Sequence, residues 1–220
     1  MLIDKPLEWT SFDVVRKIRN SIRIKKVGHA GTLDPLATGL LIVCTGKYTK
    51  RINEYMAQEK EYTGSITLGA STPTYDLESE PVNHCSFEHL TAEKVLEAIK
   101  QFTGVIQQVP PAHSAIKVDG KRVYELARSG KEVKLEPRTV TIHAFEITSW
   151  NFPVIEFKVV CSTGTYIRSL ANDLGAALGC GGYLSSLCRT RIGEFTLAEA
   201  WSMEEFASQL EANPEWLIKK

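Results

Sequence analysis

Residues 139–179, TVTIHAFEITSWNFPVIEFKVVCSTGTYIRSLANDLGAALG, decide the fold class. Two runs within them, TVTIHAFEITSW (139–150) and VIEFKVVCS (154–162), are dense in β-branched and aromatic residues. Only Asn151 to Pro153 separate them, so they predict an antiparallel strand pair. In TYIRSLANDLGAALG (165–179) the period changes. Ile167, Leu170, Leu174 and Leu178 recur at helical spacing, and Gly179 stands where such a helix stops. A hairpin running into a helix, without regular βαβ alternation, points to an α+β protein with a mixed, mostly antiparallel central sheet flanked by helices.

The rest of the chain extends this pattern. Thr10 followed by Asp13 has capping-box spacing, and Val14, Ile18 and Ile22 continue it as an amphipathic helix over residues 11–23 whose other face is basic. GLLIVCTG (39–46) and KEYTGSITLG (60–69) read as strands. Thr91 opens a helix with Val95, Ile99 and Phe102 on its apolar face, ending before Gly104. Asp119-Gly120 between SAIKV and KRVY predicts a hairpin. From Thr196 the chain reads as an acidic helix, with Ser202 and Glu205 spaced as a second capping box.

At 220 residues and 43% hydrophobic content, the chain is expected to build a single domain over 1–220. No run reaches the roughly 20 apolar residues of a membrane span, and the opening MLIDKPLEWTS is charged where a signal peptide is apolar. A cytoplasmic protein is expected. The five cysteines, at 44, 85, 161, 180 and 188, form no CxxC pair and sit mostly in apolar runs, as packed reduced thiols do. Net charge is zero, but its distribution is uneven. Residues 1–60 hold 11 Lys and Arg against 6 Asp and Glu, whereas the last 28 residues hold 2 against 6. The stretches RKIRNSIRIKK (16–26) and KVDGKRVYELARSGKEVK (117–134) can therefore face an anionic partner, although each also fits a solvated surface.

GHAGTLDPLATG (28–39) is the least ordinary segment, a glycine-punctuated loop with one acid, Asp34, before an apolar strand. Taken alone, Asp34 fits an Asp-Pro turn as well as a catalyst, and His29 fits a packed loop histidine. A phosphate-binding loop at Gly46-Lys47 is excluded, because Leu41 and Tyr48 occupy its glycine and hydroxyl positions. An aspartyl phosphatase is disfavoured because Leu36 stands where its second acid belongs. The histidines at 29, 84, 89, 113 and 143 have no ligand spacing, so no metal is expected. In GTYIRSL (164–170), Tyr166 and Arg168 fall at a strand-to-helix junction, where an arginine can hold a carboxylate bidentately or pair with a surface acid. Tyr62 in KEYTG can stack on a base or cover the core.

Five segments in order resemble the TruB family of pseudouridine synthases: DKPLEWTS with DVVRK, GHAGTLDPLATGLL, KEYTGSITLG, QQVPPAHSAIKVDGKRVYELAR, and GTYIRSLANDLG with LGCGGYLSSLCRTRIG. The resemblance implies the pseudouridine synthase fold and conversion of the T-loop uridine at tRNA position 55 to pseudouridine, after the base is flipped out, without cofactor or metal. It implies Asp34 as the catalytic carboxylate with Arg168 holding it. Tyr62 would stack on the uracil with Tyr166 beside it, Leu187 would close the apolar wall, and His29 would fill the gap left by the flipped nucleotides. The partner implied is the tRNA T-arm stem-loop, gripped by residues 117–138 and bound by a monomer. Glu8 stands where the family usually has glycine, and His113 where tyrosine is common. No segment corresponds to the PUA domain that many bacterial members append. One other reading remains at this point, a protein whose main role is binding and refolding the tRNA elbow; a guide-dependent relative like dyskerin is disfavoured, because that group normally carries the PUA domain.

Overall fold

The computed structural model describes residues 1–112, 117–118, 121–122 and 135–213, with the backbone alone at 117–118 and 121–122. The chain forms two compact units, one from residues 1–63 with 187 onward and one from residues 64–186.

The first unit is organised around β3 (Ala37–Thr45). β1 (Leu2–Lys5) pairs with it antiparallel, setting Lys5 opposite Gly39, and β2 (Val27–His29) also pairs antiparallel, setting His29 opposite Val43. The run LLIVC is continuously apolar because both its faces are covered. Leu41 and Val43 pack with Val14, Ile18 and Ile22 of α1 (Ser11–Ile22) and with Met203 and Phe206 of the C-terminal helix, α5 (Met203–Ala212). Leu40, Ile42 and Cys44 pack on the other side with Ala30 and Ile192, against which Ile52 and Tyr55 of α2 (Ile52–Met56) are laid.

Both predicted capping boxes are formed, Thr10 with Asp13 and Ser202 with Glu205. The tail differs in one respect: Thr196 belongs to a short strand, β11 (Phe195–Thr196), and carries its own capping box with Glu199 over one turn of 3-10 helix before α5 begins.

Two strands, β4 (Lys60–Leu68) and β10 (Gly182–Ile192), carry the chain from one unit to the other. In the first unit β10 runs parallel to β3, with Leu187 opposite Ala37, and turns back antiparallel into β11. Gly39 is required by that pairing, since a Cβ there would lie 2.4 Å from the carbonyl oxygen of Arg189.

The second unit is built on β8 (Arg138–Asn151) and β9 (Val154–Cys161), which pair antiparallel as read from the sequence, with β5 (Gly104–Gln108) antiparallel on the far side of β8. Its helices are α3 (Ala92–Lys100), capped by Thr91, and α4 (Ile167–Ala177), whose Ile167, Leu170 and Leu174 are buried. β6 (Lys117–Val118) and β7 (Lys121–Arg122) pair antiparallel around the predicted Asp119-Gly120 position. Among the described residues a parallel pairing, β3 with β10, stands among antiparallel ones, with helices on the sheet faces, the expected α+β arrangement. Of the cysteines, Cys44, Cys161 and Cys180 are buried and Cys188 is half-buried, but Cys85 is exposed, unlike the packed thiol expected of it.

Candidate active site

Of the residues singled out by sequence, His29, Asp34, Tyr62 and Leu187 lie in the first unit, and Tyr166 and Arg168 in the second. The loop that carries Asp34 is fixed through its main chain. The Ser11 hydroxyl, at the start of α1, accepts from the Leu33 N–H at 2.9 Å and donates to the Leu33 carbonyl at 3.2 Å. The Pro35 carbonyl accepts from the Glu8 N–H at 2.9 Å, and the Asp34 carbonyl accepts from the Ala37 N–H at 3.1 Å, closing a turn. The Asp-Pro turn and the catalytic reading are thus compatible. The turn occupies the backbone, and the side chain is half-buried.

Two buried cations that sequence reading passed over complete this frame. Arg189 on β10, 1% exposed, donates Nε to the Leu40 carbonyl at 2.8 Å and Nη2 to the Gly31 carbonyl at 3.1 Å, tying both ends of the loop to one guanidinium. Lys5, fully buried, donates to the carbonyls of Pro6, Trp9 and Pro35. Burial pushes the Lys5 ammonium down to about 8, opposed first by the charge of Asp34, so it stays positive at neutral pH and lies within electrostatic reach of that carboxylate. His29 at the end of β2 is half-buried, and its pKa is lowered by burial and by the nearby Arg189 charge, which keeps the imidazole neutral. Tyr62 is buried on β4, and Leu187 is half-buried on β10 in register with Ala37, three positions after Asp34.

In the second unit Tyr166 is the N-cap of α4, and Gln108 clamps it from both sides. The Gln108 side chain donates to the Tyr166 carbonyl at 3.0 Å and accepts from its N–H at 2.8 Å. Ser169 donates to the Val109 carbonyl at 2.8 Å, so the end of β5 fixes the first turn of the helix twice. The Arg138 guanidinium lies 5.5 Å from the centre of the Tyr166 ring. Arg168 is 4% exposed, which rules out the surface ion pair that the sequence also allowed. Its Nη1 donates to the Thr74 carbonyl at 3.3 Å, and its Nε lies 3.7 Å from Oδ2 of the equally buried Asp76.

Asp76 and Gln108 are further residues that the sequence did not expose. Asp76 is polar in a segment without a hydrophobic period, and Gln108 stands in the QQVPPAHS motif with nothing local to mark its role. His113 and most of the 117–138 grip lie outside the described residues.

Residues 19–167 match the TruB family pseudouridylate synthase N-terminal domain, and residues 168–217 match the tRNA pseudouridylate synthase B C-terminal domain. The chain is 53% identical over 219 residues to the tRNA pseudouridine synthase B of Parabacteroides distasonis, covering 97% of this chain and 93% of that one. It is 52% identical over 223 residues to that of Phocaeicola vulgatus, covering 99% and 92%. Among solved structures, it superposes on a chain of a Cbf5-Nop10-Gar1 complex with a TM-score of 0.76 at 29% identity, and on a chain of an H/ACA RNP bound to a substrate RNA containing 2'-deoxyuridine with 0.72 at 26%. It covers 99% and 100% of itself in these superpositions and spans 56% of each of those chains. Agreement of this kind over nearly the whole length, on a sheet of the pseudouridine synthase type, leaves one assignment: the chain belongs to the TruB family and is an enzyme that isomerises uridine in tRNA to pseudouridine.

Proposed function

We propose that the target is the T-loop uridine at position 55, presented by the T-arm stem-loop, and that Asp34 is the catalytic carboxylate. The reaction breaks the N1–C1′ bond, turns the uracil and joins C5 to C1′. The proton lost from C5 balances the one gained at N1, so neither metal nor cofactor is required. Asp34 acts at the ribose, on C1′ or on the C2′ proton. The observation that carries this reading is the loop itself: an acid whose neighbours on both sides are hydrogen-bonded to buried groups, beside the Lys5 ammonium.

Arg168 holds the Asp34 carboxylate, Tyr62 stacks on the uracil with Tyr166 adjacent, Leu187 closes the apolar wall, and His29, small and neutral, fills the gap left by the extruded bases. Extrusion costs a few kcal/mol, which the RNA-backbone contacts offset. Residues 1–220 work as one catalytic domain, a monomer acting in the cytoplasm. No described helix is long and apolar enough to cross a membrane.

The test is pseudouridine mapping on a transcribed T-arm. Wild-type protein without a guide RNA should modify position 55, and Asp34→Asn should bind the RNA yet leave it unmodified. Full turnover by the variant would sink the assignment of Asp34, and modification at another position would sink that of the target.

A further inference from the structure

Where the chain enters α1 there is a cavity of about 390 Å3, lined by Glu8, Trp9, Asp13, Arg16, Lys17 and Asn20. None of these six is assigned a role at the reacting uridine. We propose that the cavity holds one further nucleotide of the same RNA chain, its base laid on Trp9 with amino hydrogens toward Glu8, and its phosphate on Arg16 and Lys17. This deepens the RNA-substrate reading and rests on it.

The chemistry of the lining selects the occupant. Asp13 is already committed: its carboxylate accepts from the Thr10 N–H, the Thr10 hydroxyl and Nη2 of Arg16. What it does is fix Arg16, whose side chain remains 58% exposed with donors to spare. Two cations, the Glu8 carboxylate and the Asn20 amide are left. That set fits a nucleotide, which brings one phosphate charge and base amino groups that a carboxylate accepts from. The volume falls at the low end of the roughly 300–1,000 Å3 usual for small-ligand pockets, enough for one such unit.

Trp9 offers a firm wall because it packs on the Ile3, Val14 and Ile18 cluster and its carbonyl accepts from Lys5. A base stacks on such a ring whatever its identity. Further along α1 the same combination recurs, with the Arg19 guanidinium 5.7 Å from the ring centre of Phe12, itself 56% exposed. The cavity also adjoins the Asp34 loop through the Glu8–Pro35 hydrogen bond, where a nucleotide of RNA already held at that loop can reach it.

The test combines RNA affinity with the Trp9 indole resonance, assigned by Trp9→Phe. Arg16 and Lys17 are exposed on the helix, and alanine preserves it, so an Arg16→Ala, Lys17→Ala double variant keeps the fold. It should bind a T-arm transcript about tenfold more weakly, with a salt dependence shallower by about 0.7 in log–log slope, as expected for one lost phosphate contact on a single strand. RNA should shift the Trp9 indole signal of the wild type. Wild-type affinity in the double variant overturns the proposal. So does a Trp9 signal that answers to cytidine monophosphate while RNA leaves it unmoved, since the cavity would then take a free nucleotide. Absence of pseudouridine formation by the wild type would instead overturn the functional reading beneath it.

Discussion

Asp34 and Arg168 are held in different ways. In the first unit, cations reach for carbonyls: Arg189 and Lys5 bind the main chain around Asp34. In the second unit, Arg168 has a carbonyl, that of Thr74, and also a side chain, Asp76, beside it, and Gln108 closes around the helix end at Tyr166. A guanidinium that satisfies two carbonyls cannot be replaced piecemeal, because each orphaned carbonyl carries its own desolvation cost. A helix-end clamp is more local. Losing it loosens one turn while the rest of the helix keeps its packing.

The first unit should therefore suffer most from a single substitution. Arg189→Met fills similar volume but strands the Leu40 and Gly31 carbonyls, and the Gly39 contact leaves β10 no room to shift. The expected loss is about 4 kcal/mol, or roughly 8–16 °C in Tm for a chain of this size. Thermal unfolding checks it. Arg189→Lys should recover less than half, since one ammonium cannot span both carbonyls in the guanidinium's fixed fork. A drop of only about 2 °C would end the contrast between the units.

Lys5 gives the same frame a pH signature. Its folded pKa, about 8, lies below its ordinary value, so between pH 8 and about 10.5 the unfolded chain binds more protons than the folded one. Stability contributed at this site must then rise with pH across that window, by about 3 kcal/mol in all, and be flat below it. Denaturant unfolding of the wild type against Lys5→Met, measured from pH 7 to 10.5, isolates the slope. A constant difference between the two would mean that the ammonium is not desolvated.

Gln108→Ala probes the second unit. It removes both hydrogen bonds at Tyr166 from a residue 1% exposed, for an expected loss of about 2 kcal/mol. Turnover at a temperature where the variant is fully folded should fall about tenfold with little change in RNA affinity, because a shifted Tyr166–Arg168 turn misplaces groups rather than removing them. Equal turnover would make the clamp purely structural.

Sequence pattern revealed the parts of the fold with one dominant local signal. The Thr10 and Ser202 caps, the β8–β9 pair and α4 each follow a period or a box that the structure reproduces. β10, read only as part of a motif, hides its strand character behind Ser185, Ser186, Arg189 and Arg191. Those polar groups are satisfied across the sheet, the serines by Ser65 and Thr67 and Arg189 by carbonyls, which no window of a single sequence displays. The same blindness covers the site. Asp34, Tyr62 and Arg168 were found because they stand in recognisable motifs. Lys5, Gln108 and Arg189 stand inside the same motifs and Asp76 outside them, but such residues are exposed by default, and only tertiary partners explain their burial.

The smallest expected effect compares two strained residues, one in each unit. Glu8 and Tyr75 both adopt left-handed backbone, at φ 66° and 64°, where a side chain costs about 1–2 kcal/mol. Each holds its conformation through main-chain bonds: Glu8 N–H to Pro35, and Tyr75 N–H to Thr72 with its carbonyl accepting from Leu184. The side chains differ, since Glu8 is exposed and Tyr75 half-buried. Glycine at position 8 relieves strain without forfeiting packing, and loses part of that gain to the greater freedom of the unfolded chain, so Glu8→Gly should stabilise by about 0.5 kcal/mol. Glycine at position 75 relieves the same strain but gives up buried ring surface, so Tyr75→Gly should destabilise. Opposite signs in paired unfolding curves would show that strain at these turns is a backbone property and that the side chain decides its net effect. Two losses of similar size would show that Glu8 is held by more than its backbone, and the cavity it lines is where that hold would lie.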